Sequence, residues 1–170
     1  MAQVTGILCQ VITGKQSGAG TDGRIFLGLG GREFRLDSSR DDYERGSWRE
    51  YICGQAPLEP TLPPPQIRVE KKEWNDPREG MIIEVSDVVK LPKYLRFEPK
   101  SGDDNWNLAF AAALVYAPQF AAAYFAPADF KSLWLGDSSG KVLHLTDEYL
   151  IEQQVRGAVA RLNAALEANR

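Results

Sequence analysis

Histidine and cysteine, which carry much of enzyme and transition-metal chemistry, are nearly absent from this chain. Its 170 residues include one histidine, His144, and two cysteines, Cys9 and Cys53. A serine or cysteine nucleophile would have to use His144 as its base, yet this residue stands between Leu143 and Leu145 in a strand-like segment. Neither G-x-S-x-G nor H-E-x-x-H occurs. The sequence therefore predicts a protein that is not an enzyme.

A basic surface and a secretion signal are also missing. The formal net charge is −3 with both signs interspersed, which does not suit a nucleic-acid partner. The first ten residues, MAQVTGILCQ, contain neither a charged leader region nor a small-residue cleavage site. Two cysteines are too few for a disulfide framework, so they are interpreted as buried thiols or one bridge. These absences predict a soluble, cytoplasmic, bacterial-type protein.

The longest uncharged run is the one segment that challenges this interpretation. Residues 108–128 form 21 consecutive positions without a charge, enough for a membrane-spanning helix. However, Pro118 lies in the middle of the run and many of its residues are alanine. Because proline inside a helix costs about 3 kcal/mol, a transmembrane span is rejected. The run instead predicts a hairpin of two apolar strands.

Glycine and proline are plentiful, with 15 and 10 residues, and this composition favours an all-β fold. Residues 3–13, 24–29 and 32–37 read as strands, the last two because apolar and polar positions alternate. The segments QIRVEKKEW (66–74) and MIIEVSDVVK (81–90) are two further strand candidates, separated by the turn signal NDPREG. The chain therefore predicts a sequence of short strands joined by turns.

Two segments differ from the rest of the chain. Residues 56–65 hold five prolines and predict a stiff connection, although residues 60–63 also match a proline-ligand motif. Residues 146–170 predict an amphipathic helix capped by Thr146 or Asp147. Its apolar stripe consists of Ile151, Val155, Ala158, Val159, Leu162 and Leu166. The helix packs either on its own sandwich or on another subunit.

The stretch GAGTDG, residues 18–23, matches the dinucleotide-binding pattern G-x-G-x-x-G. That site needs a helix after the glycines, because the helix N-terminus binds the pyrophosphate. Here the following residues alternate as a strand, so a nucleotide site is rejected. The loop instead joins two strands and faces the acidic segment DSSRDD, residues 37–42, if the strands between them form a hairpin. Calcium prefers such clusters of carboxylate and backbone oxygens.

Three segments resemble the PLAT (or LH2) domain family in their order along the chain. They are TGKQSGAGTDGRIFLGL at 13–29, LDSSRDDYERGS at 36–47 and DDNWNL at 103–108. The match is close through residue 52, loose over 81–135 and absent elsewhere. The resemblance implies an eight-stranded antiparallel β-sandwich that docks onto membranes or protein partners, often with calcium, and is not itself catalytic.

The expected organisation follows from this resemblance. Residues 1–145 are predicted to form the PLAT/LH2-like sandwich, with residues 56–80 as a Pro-rich connection and insertion. Residues 146–170 are the added C-terminal helix. These additions lie outside the family match, and they offer surfaces for contacts between subunits.

The resemblance also implies a calcium site, since calcium-binding members take their ligands from the two loops described above. Position by position, it assigns the backbones of Gly18 and Gly20 and the side chains of Asp37, Asp41 and Asp42. The alternative is a solvated acidic loop without a metal.

Two further acidic features enter the calcium prediction. Asp22 is included as a candidate ligand, with the alternative that its carboxylate accepts backbone amides within the turn. Asp103, Asp104 and Asn105 form a second acidic turn and a rival site.

Aromatic residues supply the candidates for membrane or partner binding. Trp48 stands near the calcium loops, where an exposed tryptophan would suit a membrane interface; the alternative is that it packs against a neighbouring strand. Phe120, Tyr124 and Phe125 lie near the tip of the predicted hairpin and are rival candidates for an exposed apolar patch. Trp106 and Trp134 match family core positions and are predicted to be buried.

Two hypotheses from different classes follow. The first is a non-enzymatic module that docks onto a lipid surface or a membrane-associated protein, with calcium at the two loops, as a peripheral membrane protein. The second is an assembly subunit in which the Pro-rich insertion and the C-terminal helix contact other subunits.

Overall fold

The computed structural model describes residues 2–56, 66–69, 71–126 and 131–149. Within these ranges the chain forms eleven strands and two short helices. The predicted count of eight strands differs partly because three of the eleven strands have only three residues each. The proline-rich residues 57–65 and the predicted helix from residue 150 onward lie outside the described residues.

The larger sheet contains seven strands. They are β1 (Gly6–Thr13), β4 (Trp48–Gly54), β5 (Gln66–Arg68), β7 (Trp106–Ala117), β8 (Phe120–Phe125), β9 (Leu133–Leu135) and β11 (Thr146–Tyr149). The order is β11-β8-β7-β1-β4-β5, and β9 pairs with the start of β7. All pairs are antiparallel except β4 with β5. The four residues of β11 were predicted to begin the C-terminal helix, and that prediction is wrong because their backbone pairs with β8.

The smaller sheet packs over the larger one to complete a β-sandwich. Its strands are β2 (Arg24–Leu29), β3 (Arg32–Arg35), β6 (Tyr94–Glu98) and β10 (Val142–His144), in the order β10-β6-β2-β3. Side chains from both sheets share one core, including Ile7, Val11, Leu27, Phe97 and Trp106. Cys9 and Cys53 are buried free thiols, and burial raises the pKa of both.

The uncharged run at residues 108–128 forms the predicted hairpin of β7 and β8, which pair through six residue positions. Pro118 and Gln119 make the turn, and Gln119 has a positive φ of 60°. No helix among the described residues is long and apolar enough to cross a membrane.

Residues 71–91 differ most from the sequence prediction. Of the segment predicted as a strand over 66–74, only Gln66–Arg68 is extended, and α1 (Lys72–Asn75) follows it. The second predicted strand contains α2 (Val85–Lys90). The Asp87 carboxylate accepts a 3.1 Å hydrogen bond from the Glu84 backbone N–H, which closes the helix N-terminus as in a capping box. This local bond favours a helical turn despite the β-branched composition.

The two ends of the sandwich are defined by the turns that flank β2. The strand begins directly after the glycine loop, residues 14–23, and ends at Gly30 and Gly31. These two glycines have φ of 59° and 80°, the left-handed pair that a two-residue hairpin turn requires. We call the two ends the glycine-loop end and the turn end.

The larger sheet extends between the same two ends. At the glycine-loop end Thr13, the last residue of β1, pairs with Leu108 near the start of β7. At the turn end the backbone of Val4, just before β1, donates a 2.9 Å hydrogen bond to Ile83. A side chain at Gly30 would meet Ile83, so the segment that carries α1 and α2 packs beside the Gly30–Gly31 turn.

Candidate docking surface and the predicted calcium loops

The glycine loop is held to the sandwich by its own backbone. Ala19 accepts a 3.0 Å hydrogen bond from the Asn107 backbone, and Thr21 donates one of 3.3 Å to the carbonyl of Tyr43. A side chain at Gly20 would lie 3.1 Å from the backbone nitrogen of Arg45. The strand β2, and not a helix, follows the loop. The glycines therefore permit close packing of backbones, and the rejection of a nucleotide site from the sequence agrees with this geometry.

The glycine loop faces the second acidic turn, residues 100–104, across an open cleft of about 590 Å³. The Thr21 hydroxyl donates a 2.7 Å hydrogen bond to Asp104 and accepts one of 2.8 Å from the Gly23 backbone. The Asp22 carboxylate lies 2.9 Å from the ammonium nitrogen of Lys100. A hydrogen bond and an ion pair between side chains therefore join these two loops.

The acidic loop at residues 37–42 does not bring its three carboxylates together. Asp37 forms a 2.7 Å ion pair with Arg35. Asp42 is 9% exposed and accepts hydrogen bonds from the backbone and the hydroxyl of Ser38, at 2.9 and 2.8 Å. Its other oxygen lies 3.6 Å from Nε of Arg49. Asp42 thus stabilises its own loop.

Four of the six positions predicted as calcium ligands line two adjoining clefts that share Asp22. Gly18, Gly20 and Asp22 line the 590 Å³ cleft, whereas Asp37 lines a separate cleft of about 370 Å³, to which Asp22 also contributes. Calcium needs six to eight oxygen ligands around one point. In the part of the chain that the structure describes, no group of three or more carboxylate, histidine or cysteine side chains could hold a metal ion. The residues present therefore do not fit the predicted calcium site.

Of the aromatic residues predicted to bind a membrane, Tyr124 is buried and Trp48 and Phe120 are half-buried. Tyr124 is 1% exposed and belongs to the core, where the Lys93 ammonium lies 5.1 Å from its ring centroid. Phe120 packs against the same core, and Trp48 is half-buried in β4, opposite Ile12. The predicted exposure of Tyr124 is wrong because its ring lies in the core, whereas the roles predicted for Trp48 and Phe120 stay predictions. Phe125 lies in β8, and its side chain is outside the described residues.

The two tryptophans predicted to be buried differ from each other. Trp106 is fully buried and donates its indole N–H to the Thr13 hydroxyl at 3.0 Å, as predicted. Trp134 is 38% exposed, so its predicted burial is wrong. It lies on β9 opposite Asn107, at the glycine-loop end.

The exposed apolar surface lies at the turn end instead. Seven large hydrophobic side chains are exposed among the described residues, and five of them fall within residues 74–91. Trp74 is the most exposed of all, at 63%. We call the five the apolar end patch: Trp74, Met81, Ile82, Val89 and Leu91. The run of apolar residues after Gly80 was the sequence signal for this patch, but it predicted only a strand.

The backbone that carries the apolar end patch is held by buried neighbouring side chains and by hydrogen bonds from Arg32. Ile83 and Val88, which alternate with patch residues along the chain, are fully buried in the core. Arg32, from the turn-end hairpin, donates hydrogen bonds to three backbone carbonyls of the segment. These are the carbonyls of Trp74 at 2.5 Å, Glu79 at 2.6 Å and Met81 at 3.1 Å. The exposed side chains are therefore held outward by buried neighbours and backbone hydrogen bonds.

The segment that carries the patch also has exposed charged side chains. Among the exposed charged residues of the segment 71–91, four are basic and two are acidic: Lys71, Lys72, Arg78 and Lys90, against Glu73 and Glu79. The Lys71 ammonium lies 4.8 Å from the centroid of the Trp74 ring. Asp76 is buried and pairs with Arg78 at 2.6 Å, and hydrogen bonds from Arg78 lower its pKa. The outward surface therefore combines apolar groups with charges of both signs, and Lys71 lies directly against Trp74.

No known protein family and no curated protein matches the sequence. Similar solved structures include an alpha toxin from Clostridium absonum, 18% identical over 85% of this chain and 32% of the toxin, with a TM-score of 0.49. A coral 8R-lipoxygenase is 18% identical over 92% of this chain and 20% of the enzyme, also with a TM-score of 0.49. This chain spans about a third or less of each of these proteins.

Proposed function

We propose that this protein is a non-enzymatic docking module that binds a lipid surface through the apolar end patch. The observation that carries the proposal is the concentration of exposed apolar side chains in the segment at one end of the sandwich, of which Trp74 is the most exposed. Large exposed apolar patches on folded proteins mark interaction sites. The resemblance to PLAT domains supports the same class of function, since those domains dock onto membranes or protein partners.

The chemistry of the patch favours a lipid surface. A tryptophan with its ring exposed suits the interface between headgroups and acyl chains, and the aliphatic side chains of Met81, Ile82 and Leu91 suit the region beneath it. Basic residues near an anionic membrane each contribute about 1 kcal/mol of attraction. Lys71, Lys72 and Lys90 are exposed beside the patch. We therefore propose peripheral binding to membranes that contain anionic lipids.

The structure of the turn end favours binding without a large rearrangement. Arg32 and the buried Ile83 fix the backbone that carries the patch, so little conformational entropy is lost when the patch inserts. Calcium activation through a C2-like domain is described for the coral lipoxygenase. In this chain the positions predicted to bind calcium lie at the other end of the sandwich from the patch.

Co-sedimentation with lipid vesicles tests the proposal. The full chain is mixed with vesicles of phosphatidylcholine alone or with added phosphatidylserine, and binding is compared for wild type and Trp74→Ala. We expect binding to the vesicles with phosphatidylserine and a loss of about tenfold in affinity for Trp74→Ala, since one buried tryptophan contributes at least about 1.4 kcal/mol. Trp134→Ala is the matched control, because it removes an exposed tryptophan from the glycine-loop end, and its binding should equal that of wild type.

The alternative function, an assembly subunit, rests on the Pro-rich insertion and the C-terminal helix, which lie outside the described residues. The same experiment separates the two functions when light scattering is added. Absence of binding to either kind of vesicle, together with a multimer in solution, would contradict lipid docking. Equal vesicle binding by Trp74→Ala and wild type would remove the patch from the proposal.

A further inference from the structure

The larger sheet has a second apolar face, turned away from the smaller sheet. Along β1, the side chains of Ile7, Cys9 and Val11 enter the core between the sheets, so the residues that alternate with them lie on the opposite face. We call this opposite face the outer sheet face. Its apolar side chains on the strands are Leu8, Ile52, Ala112, Leu114 and Ala123. Antiparallel sheets commonly present polar side chains to water on their second face, and this sheet instead presents a second apolar cluster.

The outer sheet face is buried within a single chain. Leu8, Ala112 and Leu114, on the two central strands β1 and β7, are at most 5% exposed. Of the described elements, the smaller sheet packs on the opposite face, and α1 and α2 lie at the turn end, where Val88 of α2 joins the core between the sheets. A cover for β1 and β7 is then left to residues outside the described ranges, of which 57–65 and 150–170 are the longest segments.

The position and length of residues 150–170 suit this cover. The edge strand β11 pairs with β8 and ends at Tyr149, directly before the segment. A helix of this length extends about 30 Å, whereas β8 and β4 lie about 15 Å apart across the sheet. Residues 57–65 offer only Leu58 and Leu62 as apolar side chains besides proline. The C-terminal segment is therefore the better match to an apolar face.

The charges of the two surfaces are also complementary. The predicted helix carries Arg156 and Arg161 on either side of its apolar stripe. On the outer sheet face, the buried Glu50 carboxylate accepts a 2.8 Å hydrogen bond from Gln10. A carboxylate is buried at low cost only among charged and hydrogen-bonding partners. Arginine side chains at the rim of the stripe have the charge and the reach to approach it.

We propose that residues 150–170 form a helix whose apolar stripe packs on the outer sheet face of the same chain. The protein then has three layers, and its larger sheet is covered on both faces. The occupant is the chain's own segment and not a second copy, because the face is buried within one chain. The apolar end patch, within residues 74–91, takes no part in this packing.

Thermal unfolding of the full chain, without lipid, tests the packing of the stripe. Ala158 belongs to the stripe, whereas Ala160 lies on the far side of the predicted helix. Ala158→Asp and Ala160→Asp cost the same helix propensity, but only the first places a charge against the sheet. We expect the melting midpoint to fall by on the order of 6 °C for Ala158→Asp and by about 2 °C or less for Ala160→Asp. Equal midpoints of the two variants would overturn the inference.

A nitroxide attached to Ala160→Cys locates the segment in the folded protein. The two native cysteines are buried, so the reagent attaches to the introduced thiol. We expect the methyl NMR signals of Leu8 to broaden more than those of Leu27 in the smaller sheet, since stacked sheets lie about 10 Å apart. Equal broadening of Leu8 and Leu27, or none, would show that the segment packs elsewhere and would overturn the inference.

A mixed sample separates the same chain from a second copy as the source of the cover. It combines isotope-labelled chains that lack the nitroxide with nitroxide-labelled chains at natural isotope abundance. We expect no broadening of Leu8 in this mixture. Broadening as strong as in the singly labelled sample would assign the cover to a second copy and would contradict packing within one chain. Since no vesicles are present, none of these results depends on whether the apolar end patch binds lipid.

Discussion

The two ends of this sandwich differ in how they use their side chains. At the glycine-loop end, polar and charged groups bond to one another, as in the contacts of Thr21 with Asp104 and of Asp42 with Ser38. At the turn end, backbone hydrogen bonds and buried aliphatic groups form the base, while Trp74 and its neighbours remain exposed. At the end with the PLAT-like motifs, polar side chains contact one another, whereas the turn end has exposed apolar groups available for a partner.

This contrast shows that a family motif can reflect packing as well as binding. The segment LDSSRDDYERGS contributes a loop that closes on itself through Asp42 and a tyrosine that enters the core. None of these contacts needs a ligand. We therefore expect substitutions at the glycine-loop end to change stability more than docking, and the reverse at the turn end.

The largest effect is expected for Tyr43→Ala at the glycine-loop end. The Tyr43 ring is buried and lies 5.8 Å from the ring of Tyr51 and 5.5 Å from that of Trp106, between centroids. Its hydroxyl donates to the Leu36 carbonyl. Removing a buried aromatic ring costs about 3–5 kcal/mol, so the free energy of unfolding in urea should fall by that amount.

Tyr43→Phe is the control for the ring itself. It keeps the aromatic packing and loses one hydrogen bond, for which we expect a loss of about 1 kcal/mol. Vesicle binding by the folded fraction of either variant should match wild type. A loss of binding in folded Tyr43→Phe would break the separation between the two ends.

Much of the sandwich could be predicted from the sequence, because its strands are marked by local patterns. The alternation of RIFLGL predicts β2. Pro118 and Gln119 likewise predict the turn between β7 and β8. These features depend on neighbouring residues alone, and the structure has them where the sequence places them.

The candidate site could not be predicted in the same way, since it depends on contacts between distant segments. The sequence shows three aspartates within residues 37–42 but does not show that Arg35 and Arg49 approach two of them. Likewise, MIIEVSDVVK has the composition of a strand, and only the Asp87 contact and the core position of Val88 make it helical and half-exposed. Residue type predicts what a group can bind, while its neighbours decide whether it is free to do so.

An intermediate effect is expected from acid at the turn end. Hydrogen bonds from Arg78 lower the pKa of Asp76 below its ordinary value of 3.8. A carboxyl with a lowered folded-state pKa stabilises the fold above its unfolded-state pKa, and this stabilisation is lost as the pH falls through the folded-state pKa. The melting midpoint of wild type should therefore fall when the pH is lowered below about 3.8. Asp76→Asn should have a lower midpoint at neutral pH and should lose less of it in acid.

Asp103→Asn is the matched control at the glycine-loop end. The Ser101 hydroxyl also lowers the pKa of Asp103, but this carboxyl is exposed, so solvent screens its interactions and its loss should alter the acid response less. If Asp76→Asn and Asp103→Asn reduce the acid-induced fall of the melting midpoint equally, that fall does not arise from the contact between Asp76 and Arg78.

The smallest effect on stability is expected for Trp74→Ala, the variant with the greatest expected effect on docking. Its ring is 63% exposed and makes a cation–π contact with Lys71. Since surface substitutions of this kind change stability by about 0.5 kcal/mol or less, its urea unfolding curve should overlay that of wild type. The Trp74 carbonyl, which accepts the Arg32 hydrogen bond, remains in the variant, so the segment keeps its base. A destabilisation of several kcal/mol would mean that Trp74 is a packing residue, and the apolar end patch would then lose its most exposed member. An unchanged unfolding curve with weakened vesicle binding would show that the ring contacts the lipid.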